Sequence, residues 1–149
     1  MLSRVVEVMV ETTRKEAFSV FVIDAEPRLR RALCAMRGPA AGRDAVAEAL
    51  AWAWEHWDRV QAMENPVGYL YRVGSTRSRE KRRALLEAAY DLFLERGAAK
   101  TSVEDITSQA KVAKGTFYLY FQDKGAVMQA LLGRVSYQLL SDACEAVEK

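Results

Sequence analysis

The densest run of chemically useful groups lies at Lys114-Gly115-Thr116-Phe117-Tyr118-Leu119-Tyr120-Phe121-Gln122-Asp123-Lys124. Its ammonium and hydroxyl groups are donors suited to phosphate oxygens, and Thr116 can offer a hydroxyl or a methyl to a base edge. Phe117 and Phe121 stand four residues apart, so on a helix both point to one side and into a core. That leaves Lys114, Thr116, Tyr118 and Tyr120 to the outside. Gly115 lets a backbone come close to a partner. Elsewhere the sequence offers little to a reaction. His56 is the only histidine, flanked by Glu55 and Asp58 beside tryptophans, and reads as structural. No Ser-His-Asp set, phosphate loop or metal cluster is legible. The reading is a non-enzyme with no catalytic residue, no metal and no cofactor.

The elements that must position these groups are helical. Leu85, Ala89, Leu92 and Phe93 form an apolar stripe, and Gly97 supplies its stop. Thr101-Ser102 opens a short helix, with Thr101/Glu104 or Ser102/Asp105 at capping-box spacing. Val103, Ile106 and Ala110 face inward. A turn at Lys111-Val112-Ala113 leads to a helix over Lys114–Phe121, and a last helix runs from about Asp123 to Glu145. Two short helices joined by a tight turn and braced by a longer one form the geometry that enters a major groove.

The first half is also helical. Phe18, Phe21 and Val22 mark a short helix, and Asp24 caps a second that carries Pro27 in its first turn and ends at Gly38-Pro39. Another runs roughly Gly42–Trp57 on the stripe Val46, Leu50, Ala53, Trp57. Asn65-Pro66 starts the next, as N-cap and first helical residue. Gly74-Ser75 weakens helicity and marks the expected domain boundary, with one continuous helix as the alternative. The expected fold is all-α: two small helical bundles, residues 1–75 and 76–149, the second a three-helix helix-turn-helix domain plus a trailing helix.

Charge supports a polyanionic partner only locally. The net charge of the 149-residue chain is +2. Met1–Ser75 holds ten basic and ten acidic residues, whereas Arg77, Arg79, Lys81, Arg82 and Arg83 face Glu80 alone. Such a run is a fair footprint for phosphate, and equally a solvated linker. Met1–Glu11 lacks a signal-peptide pattern, no apolar run has membrane-spanning length, and Cys34 and Cys144 read as reduced thiols. A cytoplasmic location without membrane contact is expected.

Arg82–Arg134, with Thr101–Ile106 (TSVEDI) and Lys114–Lys124 (KGTFYLYFQDK), resembles the DNA-binding domain of TetR-family repressors. The resemblance implies a transcriptional regulator whose partner is double-stranded DNA. It implies that Thr101 and Ser102 cap the first short helix and touch phosphate. Lys114, Gly115, Thr116 and Tyr118 would lie against the groove, and Tyr120 and Lys124 would hold the backbone. Two departures weaken the turn. Lys111 stands where the family has glycine, at about 1 kcal/mol in a left-handed conformation, and Ala113 forfeits an N-cap of similar worth. The chain ends one helix on, so neither an inducer pocket nor the family's usual dimer interface is expected, and homodimerisation is open.

Pro27–Leu33, Arg43–Val60 and Asn65–Val73 resemble region two of extracytoplasmic-function bacterial sigma factors. That resemblance implies core RNA polymerase as a second partner, met by Asp44 and Glu48. It implies promoter single-strand contacts from Trp57, Arg59, Asn65, Tyr69 and Arg72, where aromatic rings and arginines suit unstacked bases. Equally, Trp52, Trp54 and Trp57 could be core and the acids a solvated face. The competing reading is a sigma-like initiation factor or polymerase-binding module in which the helix-turn-helix only supplies targeting. A natural fusion, a mosaic gene and an engineered chimera would each account for the join.

Overall fold

The computed structural model describes residues 1–147, so residues 148–149 of the expected second domain lie outside the described residues. The chain is all-α, with no strand among the described residues. The helices are α1 Leu2–Arg37, α2 Pro39–Glu55, α3 Trp57–Gln61, α4 Pro66–Arg96, α5 Val103–Ala110, α6 Lys114–Tyr120 and α7 Lys124–Val147, with a 3-10 turn at Ala98–Lys100. Two compact units divide between Ser78 and Arg79, inside α4. No described helix is long and apolar enough to cross a membrane.

The two short helices expected before Gly38 are one helix. Pro27 sits inside α1 rather than at its start. It lies on the solvent side, where the Ile23 carbonyl that loses its N–H partner can be hydrated. Asp24 is therefore not an N-cap but an (i, i+4) partner of Arg28 at 3.3 Å. Gly38 does end the helix, at φ 81°, and Pro39 opens α2.

The first unit packs Ala25, Leu29 and Leu33 of α1 against Ala45, Val46, Ala49 and Ala53 of α2, closed by Trp57, Val60 and Leu70. Phe18 meets Trp54 and Trp57 edge-on at 5.1 and 5.2 Å, the offset geometry that aromatic quadrupoles favour. Asn65 starts α4 as its type suggests, its Oδ1 accepting from the Gly68 N–H at 3.0 Å.

Gly74-Ser75 is not a break. A Cβ on Gly74 would stand 2.7 Å from the Ala45 carbonyl oxygen and 3.1 Å from Leu33. The small residues there, with buried Ser75 and Ser78, let α4 lie close on its neighbours. What reads in sequence as weak helicity is in space a tight helix crossing.

Candidate nucleic-acid interface

In the second unit, the braced pair of short helices is built on one core. Leu85, Ala89 and Leu92 of α4, Ile106 of α5, Phe117 and Phe121, and Val127 and Leu131 of α7 form a single buried cluster. Phe117 is fully buried. Arg82 lies over the Phe121 ring at 5.3 Å, which covers the end of α6 with a cation.

Of the two capping boxes that spacing allowed, the structure forms Ser102/Asp105. The Asp105 N–H donates to Ser102 Oγ at 3.0 Å, and the Ser102 N–H donates to Asp105 Oδ2 at 2.8 Å. The Ser102 backbone N–H, then its side chain and the Arg96 guanidinium 3.4 Å away, hold the Asp105 carboxyl below its ordinary value. A depressed folded-state value means that this contribution is complete above the unfolded-state value and is lost as pH falls through the folded one. Acid denaturation of the second unit is therefore expected to lose a step below about pH 4 in Asp105→Asn. Chemical denaturation at pH 3 and pH 6 followed by circular dichroism checks it.

Thr101 is placed inward. Its side chain is 1% exposed and its hydroxyl donates to the Gly97 carbonyl at 2.9 Å. Only Ser102 of the expected pair is at the surface.

The turn carries both expected weaknesses. Lys111 holds φ 57°, ψ 41°, the left-handed region that glycine would occupy without strain. Ala113 stands at the N-cap of α6 and has no side-chain bond to give. Two contacts offset this. The Val112 N–H donates to the Thr107 carbonyl at 3.1 Å, and Lys114 Nζ pairs with Glu104 across the turn. The side-chain bond to Glu104, together with its charge, raises the Lys114 ammonium above its ordinary value. Glu104 is not among the residues that sequence spacing singles out for the interface. Its separation of ten from Lys114 becomes meaningful only once the two helices are folded back on each other.

The outward face of α6 contains Lys114, Gly115 and Tyr118, with Thr116 and Tyr120 half-buried at its edges. Tyr118 is 54% exposed. A Cβ on Gly115 would meet nothing within 4 Å, so no protein neighbour requires glycine there.

Lys124 does something the sequence does not suggest. Its Nζ donates to the Ala98 and Thr101 carbonyls at 2.9 and 2.8 Å. It ties the start of α7 to the 3-10 turn, where the Ala98 carbonyl also accepts from the Thr101 N–H at 3.3 Å. Lys124→Met is expected to cost about 2 kcal/mol, because two charge-assisted bonds are lost and the Thr101 carbonyl loses its ammonium partner. The loss should appear in thermal melts without nucleic acid. An unchanged melting temperature would return Lys124 to a purely external role.

In the first unit, Trp57 is 5% exposed and packed edge-on against Phe18 and tilted against Phe21, so it belongs to the core and is withdrawn from the expected single-strand contacts. Arg59 is exposed, its guanidinium 5.8 Å from the Trp52 ring and 5.6 Å from Tyr69. Arg72 is exposed, Tyr69 half-buried, and Asn65 is occupied as a cap. Glu48 is ion-paired with Arg77 at 3.0 Å, and Asp44 is half-buried. His56 stacks on Trp52 at 4.2 Å and closes the end of α2, a structural place. Among the described residues, no group of histidine, cysteine, aspartate and glutamate could hold a metal ion.

Residues 85–131 match the family described as bacterial regulatory proteins, tetR family. The chain is 39% identical over 54 residues to an uncharacterized HTH-type transcriptional regulator, YuxN, of Bacillus subtilis, covering 36% of this chain and 19% of that protein. It is 38% identical over 58 residues to the HTH-type transcriptional repressor BepR of Brucella suis (39% and 28%). It is 41% identical over 61 residues to the HTH-type transcriptional repressor DhaR of a Mycobacterium species (41% and 29%). The chain thus spans less than a third of the length of these relatives. No solved structure matches it.

Proposed function

We propose that this protein is a DNA-binding transcriptional regulator whose second unit docks on duplex DNA with α6 in the major groove. The observation that carries this reading is the two-sided character of α6. Phe117 and Phe121 anchor it in the core, while Lys114, Gly115 and Tyr118 face solvent. Ser102 and the N-terminal turn of α5 supply donors for a flanking phosphate. Thr116 and Tyr118 stand where a base edge or sugar-phosphate would lie, and Tyr120 and Lys124 support the frame. The likeness of residues 85–131 to the tetR family favours the same docking.

Gly115 provides the sharpest test, because stability and binding should separate. Gly115→Ala is expected to raise stability, by up to about 1 kcal/mol as helix propensity improves. It should also weaken duplex binding by about tenfold or more, since a methyl group now stands between helix backbone and groove. Fluorescence anisotropy with a duplex selected from a randomised pool, across a salt series, reads the binding. Tyr118→Ala in the same assay should weaken it further. Equal binding by both variants and the parent would sink the proposal.

A second reading concerns the first unit: binding to core RNA polymerase, with Arg59, Tyr69 and Arg72 toward single-stranded DNA. The exposed Arg59 beside Trp52 and Tyr69 favours it, because cation and ring together suit an unstacked base. In this reading Asp44 and Glu48 face polymerase, Glu48 exchanging its bond to Arg77. Pull-down of purified core polymerase by the full chain tests it, and recovery of none removes it.

A further inference from the structure

α5 and α6 meet the solvent with an ion pair that belongs to neither helix alone. Glu104 is the second residue of α5 and Lys114 the first of α6, and their side chains join across the turn. Both are open to solvent, the Lys114 side chain 57% and the Glu104 side chain 68% exposed. The neighbouring carboxylate, Asp105, is taken up by the Ser102 cap and by Arg96. The Glu104 side chain takes no part in that cap. Its backbone carbonyl accepts from the Thr107 hydroxyl, and its carboxylate reaches out to Lys114.

Stability does not account for the pair. Exposed ion pairs contribute little, because water and salt screen them and two long side chains must be held still. On a face that docks on DNA the carboxylate carries a penalty, because it cancels the charge of Lys114. Attraction to phosphate supplies nearly all the affinity for unselected sequence. What the pair does present is an array. An ammonium, which only donates, is held beside a carboxylate, which only accepts. The major-groove edge of a G·C pair carries the complement, guanine O6 and N7 as acceptors next to the cytosine N4 amino group. An A·T pair sets the thymine methyl beside its acceptor instead. Phosphate oxygens attract the ammonium but repel the carboxylate.

We infer that Glu104 is a specificity-determining residue of the docking face and reads, together with Lys114, one G·C pair in the major groove. Lys114 donates to guanine, and the cytosine amino group donates to Glu104. The inference rests on the docking of the second unit proposed above. On other sequences the carboxylate finds no donor in the groove and keeps Lys114 from the phosphates. Glu104 therefore lowers binding to unselected DNA while adding a contact on the preferred site.

Glu104→Gln in the full chain tests the proposal. Glutamine keeps the length and removes the charge, and the exposed position outside the cap should leave the melt by circular dichroism beside the parent's. Fluorescence anisotropy is measured on a duplex that the parent selects from a randomised pool and on a duplex of unselected sequence. On the unselected duplex, Lys114 is released to phosphate, so the plot of log affinity against log salt should steepen by about 0.9. That amounts to about eightfold tighter binding at 0.1 M salt when the two chains meet at 1 M. Lys114→Gln should bind this duplex weakest, its carboxylate left unpaired before the phosphates, and Glu104→Gln added to it should recover binding. On the selected duplex, each G·C pair is replaced in turn by A·T. One replacement should weaken the parent by about tenfold or more and Glu104→Gln far less. An unchanged salt slope, or the same loss at every replacement in parent and variant, would overturn the proposal and leave the docking of the second unit standing. A parent that binds no duplex, with its variants alike, would overturn both.

Discussion

Phe117→Ala is expected to destabilise the second unit by about 3–5 kcal/mol, as for large-to-small changes at fully buried aromatic sites. Phe117 is 0% exposed and touches the rings of Tyr118 and Phe121 at centroid distances of 5.3 and 5.7 Å. It is the one wholly buried side chain on the seven residues of α6. A helix that short has no stability of its own. Its loss should therefore undo the outward face as a unit and abolish duplex binding, although Phe117 itself would never touch DNA. Phe117→Leu should retain most of both properties. Denaturant melts and anisotropy on the same samples check it. A folded Phe117→Ala protein that binds as well as the parent would refute the placement of α6 on this core.

Trp57→Ala is expected to cost a comparable amount, about 3–5 kcal/mol, in the first unit. Trp57 is packed against Phe18 and Phe21 in the first unit's core and is 5% exposed, which leaves little of its ring for a nucleic acid base. The cost should appear in protein alone. It should fall on the first of two thermal transitions if the units melt separately, leaving duplex binding by the second intact. Trp57→Phe should recover much of the stability. A variant with unchanged melting but impaired single-strand binding would instead make Trp57 a contact residue. Differential scanning calorimetry distinguishes the two outcomes.

The candidate interface is largely legible in the amino-acid sequence, because it depends on local rules. Four-residue spacing puts Phe117 and Phe121 inside and Lys114 and Tyr118 outside. Spacing announces a capping box at Thr101/Glu104 or Ser102/Asp105, of which the structure forms the second. The resemblance to TetR-family domains marks Lys111 as strained and Ala113 as uncapped, and the backbone shows both. Where local rules fail, a long-range contact overrules a local signal. Pro27 and Asp24 look like a helix start, yet α1 continues because its core stripe does and the proline faces water. Gly74 looks like a helix break, yet α4 runs through it, and it is small because the Ala45 carbonyl and Leu33 leave no room for a side chain.

The sequence by itself determined the all-α class and the helix-turn-helix, because periodicity, caps and turns are encoded within a few residues. Tertiary structure alone decided what partners three of the expected interface side chains already have. Thr101 is turned inward to Gly97, Lys124 is spent on the Ala98 and Thr101 carbonyls, and Lys114 is shared with Glu104. It also decided that Trp57 is core. Hydrogen bonds and burial depend on which distant residues arrive at the same place, and no local pattern of residues specifies that.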